Sequence, residues 1–193
     1  MRVLLVAPPG AGKGTQADRI SERYGIPHIS SGEVLRKHIE RGTAIGREAR
    51  RFVVNGDLVP DEIVISTLAE PVLEAAESGG YVLDGFPRNA HQARMAYDLA
   101  EPLGVNVQHV VALDVPRDEL LRRLQHRSAV EGRPDDTAEV VQHRLELDEA
   151  SSADLLGYYD ERGILSRVDG TGTPDEVSAR LWAVLDPLRA PQP

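Results

Sequence analysis

Val3-Leu-Leu-Val-Ala-Pro-Pro-Gly-Ala-Gly-Lys-Gly-Thr-Gln16 runs from an apolar, strand-length stretch through a loop of small residues into a lysine that opens a helix. A loop of this kind can turn several backbone N–H groups, together with the helix N-terminus, toward one phosphate, while Lys13 reaches the next phosphates along. The strict pattern G-x-x-x-x-G-K-[ST] is missed twice. Ala7 stands at the first glycine, and Gly14 follows the lysine where a hydroxyl is expected, with Thr15 one place later. A plain Gly-rich turn between strand and helix would also use the glycines and prolines, but not a lysine in this place. If position 7 needs positive φ, alanine costs roughly 1–2 kcal/mol there; if the backbone is extended, the cost is close to nothing.

Other apolar runs of strand length alternate with stretches of helical period: Ile26 to Ile29, Tyr81 to Leu83, Val107 to Leu113 and Ile164 to Val168. This alternation predicts an α/β fold, a parallel sheet covered by helices on both faces, whose strands read as continuous apolar runs because both sides are buried. Pro116, followed by Asp118 and Glu119, marks a helix start. Asp136 with Glu139 three residues on predicts the cap of the next helix, and Thr173-Pro-Asp-Glu176 is a capping box before the last. The tail from Arg189 has two prolines and no periodicity, and is expected to fray.

At 193 residues the chain is one domain. It carries 22 Lys and Arg against 31 Asp and Glu, a net charge of −9, so nucleic acid and anionic membranes are not expected partners and any polyanion must meet a local basic pocket. With no cysteine, disulfides, thiolate metal sites and cysteine nucleophiles are excluded. The opening residues lack the longer apolar core of a signal peptide, which gives a cytoplasmic expectation.

Two further features carry chemistry. Asp84, in Tyr81-Val-Leu-Asp-Gly-Phe-Pro-Arg88, stands at a strand's C-terminal end, where open α/β sheets place ligands and where a carboxylate can hold the waters of a magnesium ion. The Asp-Gly pair could instead be a hairpin turn, but Pro87 and a helical pattern follow rather than a second strand. Arg88 beside it suits a phosphate clamp. Arg123 and Arg127 share a helix face, and Arg133 and Arg144 lie close in sequence. Such a run is ordinarily a solvated face, yet beside a phosphate loop in an acidic protein it also supplies the cations that a transferring phosphoryl group needs. The six histidines show no metal-ligand spacing and read as structural or surface. G-x-S-x-G and G-x-G-x-x-G are absent, and so is Asn-Lys-x-Asp for guanine.

Together PPGAGKGTQ (8–16), ISSGEVLR (29–36), GDLVPDE (56–62), LDGFPRNAHQ (83–92), GRPDD (132–136) and VDGT (168–171) resemble the adenylate kinases, in their short form without a long lid insertion. The likeness spans nearly the whole chain. It implies a P-loop NTPase fold, three layers α/β/α around a five-stranded parallel sheet. The core would comprise 1–30, 74–127 and 137–193, with a helical AMP-binding arm at about 31–73 and a short lid loop at about 128–136. It further implies Mg2+-dependent, reversible phosphoryl transfer from ATP to AMP giving two ADP, by a monomer. By the same resemblance Gly10, Ala11, Gly12, Lys13, Gly14 and Thr15 cradle the ATP phosphates, Arg123 and the backbone at Gly172 flank the ATP adenine, and Arg127 reaches the phosphates. Ser31, Arg36, Gly85 and Arg88 would hold AMP, while Asp57, Leu58, Val59 and Gln92 read its adenine. Arg133 and Arg144 would close over the transferring group, and Asp84 would order the waters of magnesium.

Departures are specific. Ser31 replaces the more usual threonine and keeps its hydroxyl, and Leu145 to Tyr159 lacks the family's tyrosine and Thr-x-Pro signals. Two other functions fit part of the pattern. A UMP/CMP kinase shares the phosphate machinery but tends to carry Asn where Gln92 stands, and a catalytically weak nucleotide-binding paralogue would not need the acceptor-side arginines.

Overall fold

The computed structural model describes residues 1–131 and 137–189. Its strands are β1 (Arg2–Val6), β2 (His28–Ser30), β3 (Tyr81–Asp84), β4 (His109–Asp114) and β5 (Leu165–Asp169). The helices are α1 (Lys13–Tyr24), α2 (Ser31–Glu40), α3 (Ala44–Asn55), α4 (Asp61–Glu77), α5 (Ala90–Ala100), α6 (Arg117–Glu131), α7 (Ala138–Asp160) and α8 (Pro174–Arg189). The sheet order is β2-β3-β1-β4-β5 and every pairing is parallel, as the alternation predicts.

Both faces of the sheet are covered, and the period of two in β1 shows how. Leu4 and Val6 enter one core with Ile29, Leu83, Phe86 and Leu155, whereas Val3 and Leu5 enter the other with Ile20, Val111, Leu181 and Leu185. An apolar run with no polar alternation is therefore what this strand requires. After β1 the chain passes to β2 and β3 on one side, and later to β4 and β5 on the other. The crevice at this reversal is where open α/β sheets hold ligands. Because Leu5 pairs with Asp84, the phosphate loop after β1 and the carboxylate ending β3 emerge side by side.

Several element boundaries differ from expectation. β2 begins at His28, not Ile26, and β4 begins at His109, after the polar Gln108 whose side chain accepts from the Arg2 backbone N–H at 3.1 Å. The cap of α7 is Thr137, whose hydroxyl accepts from Val140 N–H; Asp136 lies outside the described residues. Of the expected lid at 128–136, Ser128 to Glu131 form the last turn of α6, and Gly132 to Asp136 lie outside the described residues. α8 runs to Arg189, so the expected frayed tail falls on positions 190–193, outside the described residues. The capping box holds: Glu176 Oε2 accepts from Thr173 N–H at 2.8 Å and Thr173 Oγ1 from Glu176 N–H at 3.3 Å. Among the described residues no helix is long and apolar enough to cross a membrane.

α2 and α3 approach closely because position 46 has no side chain. A Cβ on Gly46 would lie 2.0 Å from the His38 carbonyl oxygen, which is backbone and cannot swing away. Gly46→Ala is expected to destabilise the protein by about 1–3 kcal/mol despite alanine's better helix propensity. Denaturant titration checks this, and a stabilised variant would contradict the packing.

Candidate active site

The loop between β1 and α1 turns on two glycines in the left-handed region, Gly10 at φ 85° and Gly12 at φ 93°, the latter capping α1 without a side-chain bond. A Cβ on Gly10 would also stand 2.7 Å from Leu124 Cγ, so α6 packs directly on the loop. No non-glycine residue among those described has positive φ, so Ala7 sits in ordinary backbone and carries no left-handed strain. Ala7→Gly is accordingly expected to change turnover by no more than a few-fold; a hundredfold gain would show that the methyl distorts the loop. Lys13 folds back over the loop, its Nζ donating to the Ala7 carbonyl and to the Pro8 carbonyl at 3.0 Å. Desolvation lowers its ammonium to a pKa of about 8, against the opposing pull of Asp84 and Asp148.

Asp84 is buried at the end of β3. His28 Nε2 lies 2.6 Å from its Oδ2, and the Ser30 hydroxyl donates to its Oδ1 at 3.2 Å. The other ring nitrogen of His28 lies 2.7 Å from Asp18, so the histidine bridges two carboxylates. Burial by itself would raise the Asp84 carboxyl; the hydrogen bond from His28, the Lys13 charge and Ser30 outweigh it and hold the group below the usual range. Burial likewise pushes His28 down, but Asp84 and Asp18 prevail and raise it. The linkage signs are opposite: the Asp84 share of stability is lost as pH falls through its depressed pKa, and the His28 share as pH rises through its raised one. His28→Ala is therefore expected to cost about 1–3 kcal/mol near pH 5, and progressively less above pH 7, in unfolding titrations. A cost that grows with alkaline pH would contradict this.

A cleft of about 1060 Å³ opens over these groups. Gly10, Gly12, Lys13, Gly14 and Thr15 line its loop side, with Asp84, Gly85 and Arg88 from the end of β3. Arg123 and Arg127 reach it from α6, Arg144 from α7 and Arg36 from α2. Arg123 is fixed by Glu119 at 2.6 Å and by the carbonyls of Ala11 and Gly170, both at 3.2 Å; the Gly172 carbonyl lies at 3.5 Å. Arg88 opens to the cleft, yet desolvation, then the charge of Arg144, lowers its pKa. Its Nε donates to the Gly85 carbonyl at 2.8 Å. Ala11 is buried behind the loop, and Arg133 lies outside the described residues.

A side cavity of about 60 Å³ adjoins the cleft, and Arg36, Gly85, Arg88 and Arg144 line both. Ser31, Asp57, Leu58, Val59 and Gln92 also border it. The Gln92 carboxamide is fully engaged on one side: Oε1 accepts from Arg88 N–H at 2.7 Å, and Nε2 donates to Asp61 at 2.7 Å. One lone pair and one N–H remain on the amide.

The adenylate kinase family profile matches residues 5–164, which include the phosphate loop, β3 with Asp84, and both α6 and α7. The chain belongs to the adenylate kinase family. It is 44% identical to the adenylate kinase of Thermus thermophilus over 95% of this chain and 96% of that one. It is 43% identical to the Kocuria rhizophila adenylate kinase (96% and 98%) and 44% identical to that of Xylella fastidiosa (96% and 99%).

Within this family frame the sequence reading overlooked four side chains. His28 touches Asp84; Asp61 holds Gln92; Ser151 donates to the Arg88 carbonyl at 3.0 Å; and Asp148 lines the cleft among its cations. Asp61 stands within GDLVPDE (56–62) with no role assigned to it from sequence, and the other three belong to none of the quoted motifs. The only available signal was the break in the α7 pattern that contains Asp148 and Ser151.

Proposed function

We propose that the chain transfers the terminal phosphoryl group of ATP to AMP, reversibly, giving two ADP. What carries the reading is the convergence of Lys13, Arg36, Arg88, Arg123, Arg127 and Arg144 on one cleft of an otherwise acidic protein of this family. ATP phosphates lie on the loop from Gly10 to Thr15, with Arg123 and the Gly172 backbone beside the adenine and Arg127 and Arg133 along the phosphates. AMP lies with its phosphate between Arg36 and Arg88, its sugar side near Ser31 and its base in the side cavity. Gln92's remaining acceptor and donor match the N–H and ring nitrogen that adenine presents along one edge.

A phosphate oxygen of AMP attacks the γ-phosphorus in line as the bond to the ADP oxygen breaks. No side-chain nucleophile is needed. The arginines and Lys13 place the two phosphates and balance charge on the equatorial oxygens, and Arg144, which borders both cavities, spans donor and acceptor sides. An ionised Asp84 at the cleft floor fits magnesium, which keeps several waters and takes one or two carboxylates plus substrate phosphates. Among the described residues no group of three or more His, Cys, Asp or Glu is placed to hold a metal ion. Held at Asp84 through its waters, magnesium would supply neutralisation of phosphate charge. The arm at 31–73 and the lid at 128–136 close over the pair and exclude water. The protein acts as a monomer on free nucleotides in the cytoplasm.

Given only ADP and magnesium, the protein is expected to form ATP and AMP in equal amounts, read by ion-exchange chromatography. AMP without ATP would indicate hydrolysis and contradict the proposal.

A further inference from the structure

Besides Asp84, five carboxylates line the phosphate cleft; Asp18, Asp114 and Asp169 each have a partner within the fold and Glu33 is exposed, which leaves Asp148. Asp148 lies one turn after Arg144 on α7, half-buried, and lines the same wall. It forms no hydrogen bond or ion pair with any described residue. The charges that act on it come from separate elements: Lys13 on the phosphate loop and α1, Arg88 after β3, and its own neighbour Glu149. Glu149 is turned outward and paired with Arg117. Burial raises the Asp148 carboxyl, against Lys13 and Arg88, which marks the charge as a cost to the native state that increases with pH above the ordinary aspartate range. A carboxylate with no hydrogen-bonding partner among the described residues, lining the same cleft as Lys13 and Arg88, is a feature of the site rather than of the fold.

Resting on the proposed reaction, we infer that Asp148 is a resident counter-charge of the cleft: it weakens the hold of Lys13 and Arg88 on nucleotide phosphates and so speeds the departure of product. The bound phosphates carry several negative charges, and each is repelled by Asp148 across a cleft of intermediate dielectric. The same carboxylate offsets cation–cation repulsion while the cleft is empty, and so favours the free state on both counts. Asp148 is thus a tuning residue that acts through the cations and takes no part in bond making.

The test is calorimetric titration of ADP, with EDTA to prevent turnover, into the whole wild-type chain, Asp148→Asn and Glu149→Gln. Near pH 7, where Lys13 remains protonated, Asp148→Asn is expected to bind ADP about five- to twentyfold more tightly, and Glu149→Gln within twofold of wild type. The gain should shrink as salt is raised. In steady state with magnesium, Asp148→Asn should lower KM and kcat together, and its melting temperature should be unchanged or higher. Unchanged or weaker ADP binding by Asp148→Asn overturns the inference and leaves the proposed reaction intact. An equal gain from Glu149→Gln also overturns it, since any lost negative charge would then suffice. Absence of ADP binding by the wild type would overturn both.

Discussion

Replacing Arg88 by alanine is expected to lower phosphoryl transfer by about 10²- to 10³-fold while leaving ATP affinity within a few-fold of wild type. Three contacts fix this residue from three directions. Its N–H donates to Gln92, its Nε to the Gly85 carbonyl, and its own carbonyl accepts from Ser151. It borders both the main cleft and the side cavity, so in the proposed reaction its guanidinium would stand where the acceptor phosphate meets the donor. Removing it takes away charge and the two-pronged geometry that orients a phosphate for in-line attack. Arg88→Lys keeps the charge alone and is expected to fall between. Steady-state kinetics with a separate ATP titration separates the effects. Unchanged turnover in Arg88→Ala would remove the residue from the site.

Lys13→Gln is expected to cost about as much in transfer and, unlike the Arg88 variant, to weaken ATP as well. The amine bridges the Ala7 and Pro8 carbonyls and is held at a pKa of about 8 by desolvation. Bound phosphates favour the protonated amine, so the complex binds that proton more tightly than the free protein. Above pH 8 nucleotide binding must therefore take up a proton. ATP affinity of the wild type should fall as pH rises from 7 to 9, by up to about tenfold per unit past the pKa. Lys13→Gln should bind weakly at both ends without that slope. A slope that persists in Lys13→Gln would assign the proton to another group.

The layered fold was legible because its determinants are local. Val3 to Val6 is buried on both faces and so reads as an uninterrupted apolar run, and Thr173 to Glu176 carries its whole cap within four residues. Strand starts were less so. His28 pairs in register with Val82, and sequence gives no reason why pairing begins there rather than at Ile26. The cap of α7 was misplaced by one residue because Asp136 and Thr137 are both competent acceptors, and the path of the chain decides between them.

At the site, the glycines, Lys13, Asp84 and the arginines that line the cleft could be singled out from sequence and resemblance because they are residue types that phosphate binding uses. His28, Asp61, Asp148 and Ser151 were not, since each acts through a partner distant in the chain: Asp84, Gln92, the Lys13–Arg88 pair and the Arg88 carbonyl. Ala7 was an open case in sequence, and its backbone resolves it, since only glycines among the described residues occupy the left-handed region.

The most direct measurement is ADP formation from magnesium ATP with AMP, UMP, CMP or GMP in parallel, beside a control without acceptor. Rapid ADP formation with AMP alone is the predicted result. Equal rates with and without acceptor, or preference for another nucleotide, would contradict the account of the side cavity and of Gln92.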